Sequence, residues 1–136
     1  MNFTFKKEER LHKKKELEVL FKDGSSFFIF PFKVIHHEVI KNELAEENLG
    51  PSLKVAISVP KRRFKKAVDR NRLKRKIREA YRLNRNTLKL ALSSRQKNVL
   101  IMLIYNADEQ LPDQKIEDKI ILILQRLQTI YAEDNK

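Results

Sequence analysis

Apolar positions change their period along the chain, and each change marks an element. Over residues 13–22, Leu17, Leu20 and Phe21 recur on one side of a short helix. Gly24 follows where a helix C-terminus favours a residue tolerant of positive φ. The stretch SSFFIFPFKVIHHEVI is rich in aromatic and β-branched residues, so it predicts extended chain, divided by Pro31 into two short strands. KNELAEENLGPS is polar and acidic, and predicts a loop insertion over residues 41–52. In LKVAISVP, Leu53, Val55, Ile57 and Val59 alternate with Lys54, Ala56 and Ser58, the mark of a half-buried strand closed by Pro60. Its small, polar face is left for another role.

Residues 68–82, VDRNRLKRKIREAYR, return to helical spacing. On a wheel of about 100° per residue, Leu73, Ile77, Ala80 and Tyr81 fall on one core-facing arc. Arg70, Lys74, Arg75, Arg78, Arg82 and Arg85 cover an adjoining arc that includes Asn71, and Arg72 and Lys76 lie on the opposite flank. A polar connection around Ser93-Ser94, the buried strand VLIMLIY and an amphipathic helix over 112–131, carrying Ile116, Ile120, Leu124, Leu127 and Tyr131, complete the chain. The order α-β-β-β-α-β-α predicts one α+β domain spanning residues 1–136, which suits the length.

Charge sharpens this picture. Of the net +12, residues 61–85 carry +11, from thirteen Lys and Arg against two Asp and Glu. Cations concentrated in one segment are the footprint of a polyanionic partner. Their mutual repulsion is relieved when phosphates replace small counterions. Asn71, set between two arginines, can donate to phosphate or read a base edge or a ribose hydroxyl, although an N-terminal cap is its plainer role.

Other chemistries find little support. The chain has no Cys, so thiol nucleophiles, thiolate metal sites and disulfides are out of reach. Asp69 and Glu79 are ten residues apart and fit intrahelical partners better than a two-metal pair. His36 and His37 are neighbours on a predicted strand and point to opposite faces. Two glycines supply no nucleotide-cradling loop. Neither a zipper nor a second recognition helix suggests DNA. With no apolar leader and no membrane-length apolar run, the expected location is the cytoplasm, with no membrane partner.

The segment AVDRNRLKRKIREAYR resembles the signature of the bacterial ribonuclease P protein component, in which an Arg-Asn-Arg triplet opens a long basic helix. ERLHKKKELEVLFKDG, LKVAISVPKR and VLIMLIY resemble that family's opening helix, its strand before the basic helix and its closing strand, so the resemblance covers about residues 8–130. It implies a fold similar to the second domain of ribosomal protein S5, a four-stranded sheet packed with helices around a left-handed β-α-β crossover. It also implies an RNA-binding protein subunit that assists a catalytic RNA in the endonucleolytic removal of the 5′ leader from precursor tRNA, with magnesium used through the RNA and no catalytic or metal-binding residue on the protein.

Carried onto this chain, the resemblance assigns RNA contacts to Lys61, Arg62, Arg70, Asn71, Arg72, Lys74, Arg75, Arg78 and Arg82. It assigns the leader cleft to Leu17, Phe21, Lys33 and Ile35. Two departures stand out. Arg63-Phe64-Lys65-Lys66 replaces a shorter, glycine-containing approach to the helix, and Leu17 and Ile35 occupy places where the family uses aromatic residues. A ribosome-type RNA-binding protein with the same fold is the alternative reading.

Overall fold

The computed structural model describes residues 9–40 and 52–132. Its elements are α1 (Lys14–Asp23), β1 (Ser25–Ile29), β2 (Phe32–Glu38), β3 (Leu53–Ser58), α2 (Ala67–Asn84), α3 (Asn86–Ser94), β4 (Val99–Tyr105) and α4 (Asp113–Tyr131). The expected order is present, with α3 added where the sequence reading had a polar connection. Leu88 and Leu92, one turn apart, are the buried side of that short helix. Leu88, Leu90 and Leu92 also alternate at strand spacing, which masks the helical signal. The expected 41–52 insertion lies outside the described residues save for Ser52.

The four strands form one sheet in the order β1-β2-β4-β3. β1, β2 and β4 are antiparallel neighbours, whereas β3 runs parallel to β4 and is joined to it through α2 and α3. Pro31 does divide the extended stretch: a turn with a cis Phe30–Pro31 bond separates β1 from β2.

The two sheet faces are covered differently. Phe32, Val34, Val55, Ile101, Leu103 and Tyr105 face the main core, closed by Leu73, Ile77 and Tyr81 of α2, by α3, and by Ile116, Ile120, Ile123, Leu124 and Leu127 of α4. On the opposite face, Leu100 and Met102 meet Leu20 of α1 and Leu11 in a smaller cluster. Burial of these two apolar sets supplies the main drive for folding.

Two expectations are corrected here. Gly24 has φ −71° and ψ 150°, so positive φ is not what it provides. A Cβ at this position would collide with the Leu20 carbonyl oxygen of the last turn of α1 and stand 3.1 Å from the His36 carbonyl oxygen, so glycine is required where the end of α1 meets β2. The polar face of β3 is not open along its length either. Lys54 is buried under α1, its ammonium 2.8 Å from Glu16.

Candidate nucleic-acid interface

α2 is positioned by its narrow apolar stripe. Leu73, Ile77, Ala80 and Tyr81 are its buried residues, the arc that the wheel predicts. The approach to the helix is built by its unusual residues. The backbone N–H groups of Arg63 and Phe64 both donate to the Pro60 carbonyl, and the Phe64 ring packs 6.0 Å from that of Tyr105. The Arg63 guanidinium donates to Asp108 and Asn106 after β4. Phe64 thus anchors this approach against β4 and the main core.

The cations divide into two groups once their partners are known. Arg70 donates to the Phe64 and Lys65 carbonyls at 2.8 Å each, closing the turn that precedes the helix. Lys76 pairs with Asp113 on α4, and Arg82 with Glu79 one turn back. The hydrogen bonds with Arg82 hold the Glu79 carboxyl below its usual range and, reciprocally, raise the guanidinium. Arg85 leaves the expected cationic arc altogether: it is 1% exposed and forks onto both oxygens of Glu9, itself 2% exposed. Lys89 joins the same carboxylate.

The remaining set is directed outward. No side-chain hydrogen bond or ion pair with another described residue engages Lys61, Arg62, Asn71, Arg72, Lys74, Arg75 or Arg78. Asn71 lies a full turn inside the helix and is exposed, while Lys66 holds the N-cap position, so the capping role does not apply. Burial, and after it the charges of Arg10 and Arg75, lower the affinity of the half-buried Arg78 for its proton. Arg10 is therefore close enough to add to this positive field. Sequence spacing could not reveal that, because Arg10 reaches the site from the segment before α1, through a bridge to Val55 of β3.

The proposed leader residues are only partly assembled. Leu17 and Ile35 both pack at the edge of the small cluster. Lys33, Ile35 and His37 share one side of β2, while His36 is buried on the other. Phe21 is 58% exposed, so it is not a core residue. It lines a shallow groove with His12, Lys14, Leu17, Glu18 and Lys22, and neither Lys33 nor Ile35 is part of that lining.

Among the described residues, no group of three or more His, Asp or Glu could hold a metal ion, and no helix is long and apolar enough to cross a membrane.

Known proteins resemble this chain in sequence and in fold. The family model described as Ribonuclease P matches residues 5–128. A ribonuclease P protein component from Porphyromonas gingivalis is 38% identical over 111 residues, covering 82% of this chain and 76% of the relative. One from Dictyoglomus thermophilum is 30% identical over 127 residues, covering 91% and 92%. In fold, the RNase P protein from Thermotoga maritima superposes with a TM-score of 0.65 at 24% identity, over 87% of this chain and 96% of that one. The Staphylococcus aureus RNase P protein gives 0.65 at 19% identity, over 90% and 97%. A sequence match over nearly the whole chain, together with a basic helix whose outward cations have no side-chain partner among the described residues, has one conclusion: this chain belongs to the ribonuclease P protein family, the protein component of an endoribonuclease ribonucleoprotein.

Proposed function

We propose that the chain binds the catalytic RNA of ribonuclease P through the outward side of α2 and its approach, using Lys61, Arg62, Asn71, Arg72, Lys74, Arg75 and Arg78. The observation that carries this reading is the sorting of cations. Those with partners among the described residues help to hold the fold together, and most of the others lie on α2 and its approach, where phosphates would relieve their repulsion. Arg70 and Arg82 take part at the margins, since each already has a protein partner.

The second half of the proposal is that the precursor tRNA leader runs over the less covered sheet face, past Leu17, Phe21, Lys33 and Ile35. Lys33 supplies charge there, and the half-buried apolar side chains supply contact area. Magnesium belongs to the RNA subunit in this reading, the whole chain works as one domain, and processing takes place in the cytoplasm.

The test is to combine purified protein, the cognate catalytic RNA and precursor tRNA at low magnesium. Faster release of the 5′ leader on adding protein is expected, with no cleavage by protein free of RNA. Cleavage by an RNA-free, nuclease-free preparation that is lost in a defined point mutant would overturn the assignment of chemistry to the RNA. Co-sedimentation with ribosomes without any effect on leader release would favour the ribosome-type alternative.

A further inference from the structure

The β1–β2 hairpin carries two aromatic rings that neither core uses. Phe28 is 52% exposed and Phe30 51%, and their ring centroids are 6.4 Å apart in an edge-on arrangement. Their neighbours Phe27 and Ile29 turn the other way, onto the main core. Single exposed apolar residues are common on protein surfaces. Two adjoining rings beside a cation are a different matter.

The strand registers place that cation. Phe28 is directly opposite Lys33, Lys33 opposite Ile104, and Ile104 opposite Ser58, so these four side chains form one row across the face that α1 only partly covers. Directly opposed residues have Cβ atoms about 4.5–5.5 Å apart, which puts the Phe28 ring and the Lys33 stem side by side. α1 packs over the rows of Met102 and Leu100, leaving Lys33 exposed and Ile104 and Ser58 half-exposed. At the far end of the row, β3 runs out through Pro60 into the exposed Lys61 and Arg62. The row therefore joins an aromatic platform at one sheet edge to the cationic approach of α2 at the other.

We infer that Phe28 and Phe30 are a base-stacking platform for single-stranded RNA, and that its occupant is the 5′ leader of precursor tRNA. The inference rests on the leader-binding reading above and adds the residues that give it stacking. Aromatic faces beside a backbone-tracking cation are the general means of holding single strands without sequence preference. Ile35, the next residue along β2 on the same face as Lys33, has no π-system. The hairpin supplies two, one row away.

The test uses holoenzyme reconstituted from the full chain and its cognate RNA, with equilibrium binding of precursor tRNA and of mature tRNA. The double variant Phe28→Ala/Phe30→Ala should weaken precursor binding roughly five- to a hundredfold while mature tRNA binds as before. Phe28→Trp, which keeps a stacking face, should retain precursor affinity. Both positions are solvent-facing, so melting temperatures should stay close to that of the parent chain. Unchanged precursor affinity in the double variant, or equal losses for both RNAs, overturns the platform. The broader reading is tested separately. If Lys33→Ala and Phe21→Leu lose precursor affinity while the hairpin variant does not, leader binding stands and the platform falls. If none of the three distinguishes precursor from mature tRNA, leader binding itself falls. A hairpin that mates with a second copy of the chain would instead show as a dimer dissolved by the double variant with RNA affinity intact, which also overturns the inference.

Discussion

A single carboxylate, Glu9, holds more of this molecule together than its place in the chain suggests. It is buried, it receives two hydrogen bonds from the Arg85 guanidinium at the α2–α3 junction, and it receives a third from Lys89 on α3. Taking charges out of water is costly, and mutual attraction with saturated hydrogen bonding offsets it. Removing one partner leaves the other charge stranded. Glu9→Ala should therefore destabilise the fold by about 3–5 kcal/mol, whereas a paired apolar replacement, Glu9→Leu with Arg85→Met, should recover much of that loss. Urea unfolding of the three proteins checks this. A single variant as stable as the parent would show that the pair contributes no constraint. Gly24 is a second residue whose role is set by its surroundings, since the obstacle to a side chain is the Leu20 carbonyl and not the dihedral angle.

At the scale of the element, α2 separates a packed apolar stripe from an outward cationic surface around its circumference. Its apolar stripe fixes the helix on the sheet, so the outward cations can be altered while the core packing stays intact. Replacing Arg72, Lys74 and Arg75 together by Ala should weaken binding to the catalytic RNA. It should also reduce the slope of log affinity against log salt by about 0.7–0.9 for each phosphate no longer neutralised, with helical circular dichroism retained. An unchanged slope in the folded triple variant would remove these residues from the interface. Arg70→Ala is a different experiment. Its guanidinium closes the turn at Phe64 and Lys65, so its loss should disturb the path into the helix as well as any bond to RNA.

On the scale of the whole molecule, β2 and the last helix are joined through a titratable pair. His36 is buried, its Nδ1 hydrogen-bonded to the Tyr131 hydroxyl, and Lys97 donates to the Tyr131 carbonyl oxygen. Burial, then the charges of Arg126 and His37, holds the His36 imidazole below its ordinary value of 6.5. Burial, then the Glu38 charge, pushes the Tyr131 hydroxyl up to about 12. For the histidine the sign is definite. Below about pH 6.5 the unfolded chain takes up a proton that the folded chain resists, so this contribution to stability is complete above that pH and declines as the pH falls. Urea midpoints should drop between about pH 7.5 and 5.5, and His36→Gln should flatten that dependence. An equal slope in parent and variant would assign the acid sensitivity elsewhere.

The same scale separates what is local from what is not. Alternation along Leu53–Ser58 and the three-to-four spacing of Leu73, Ile77, Ala80 and Tyr81 are written in the sequence, because strand and helix repeat over a few residues and the apolar set must share a face. The Arg-Asn-Arg segment likewise points to the family, and the concentration of charge makes α2 the helix we propose to face RNA. Only the tertiary structure decided which cations remain available. Arg85 lies on the same arc as Arg78 by spacing, yet it is buried on Glu9, 76 positions away, and Lys54 is buried on Glu16, 38 positions away. Phe27 and Phe28 are adjacent in an apolar run, so strand alternation sets them on opposite faces, and only the packing of the sheet decides that Phe27 meets the core and Phe28 solvent. A local period fixes the direction of a side chain within its element. Whether that direction meets a carboxylate, a core or solvent depends on chain segments brought together only by folding.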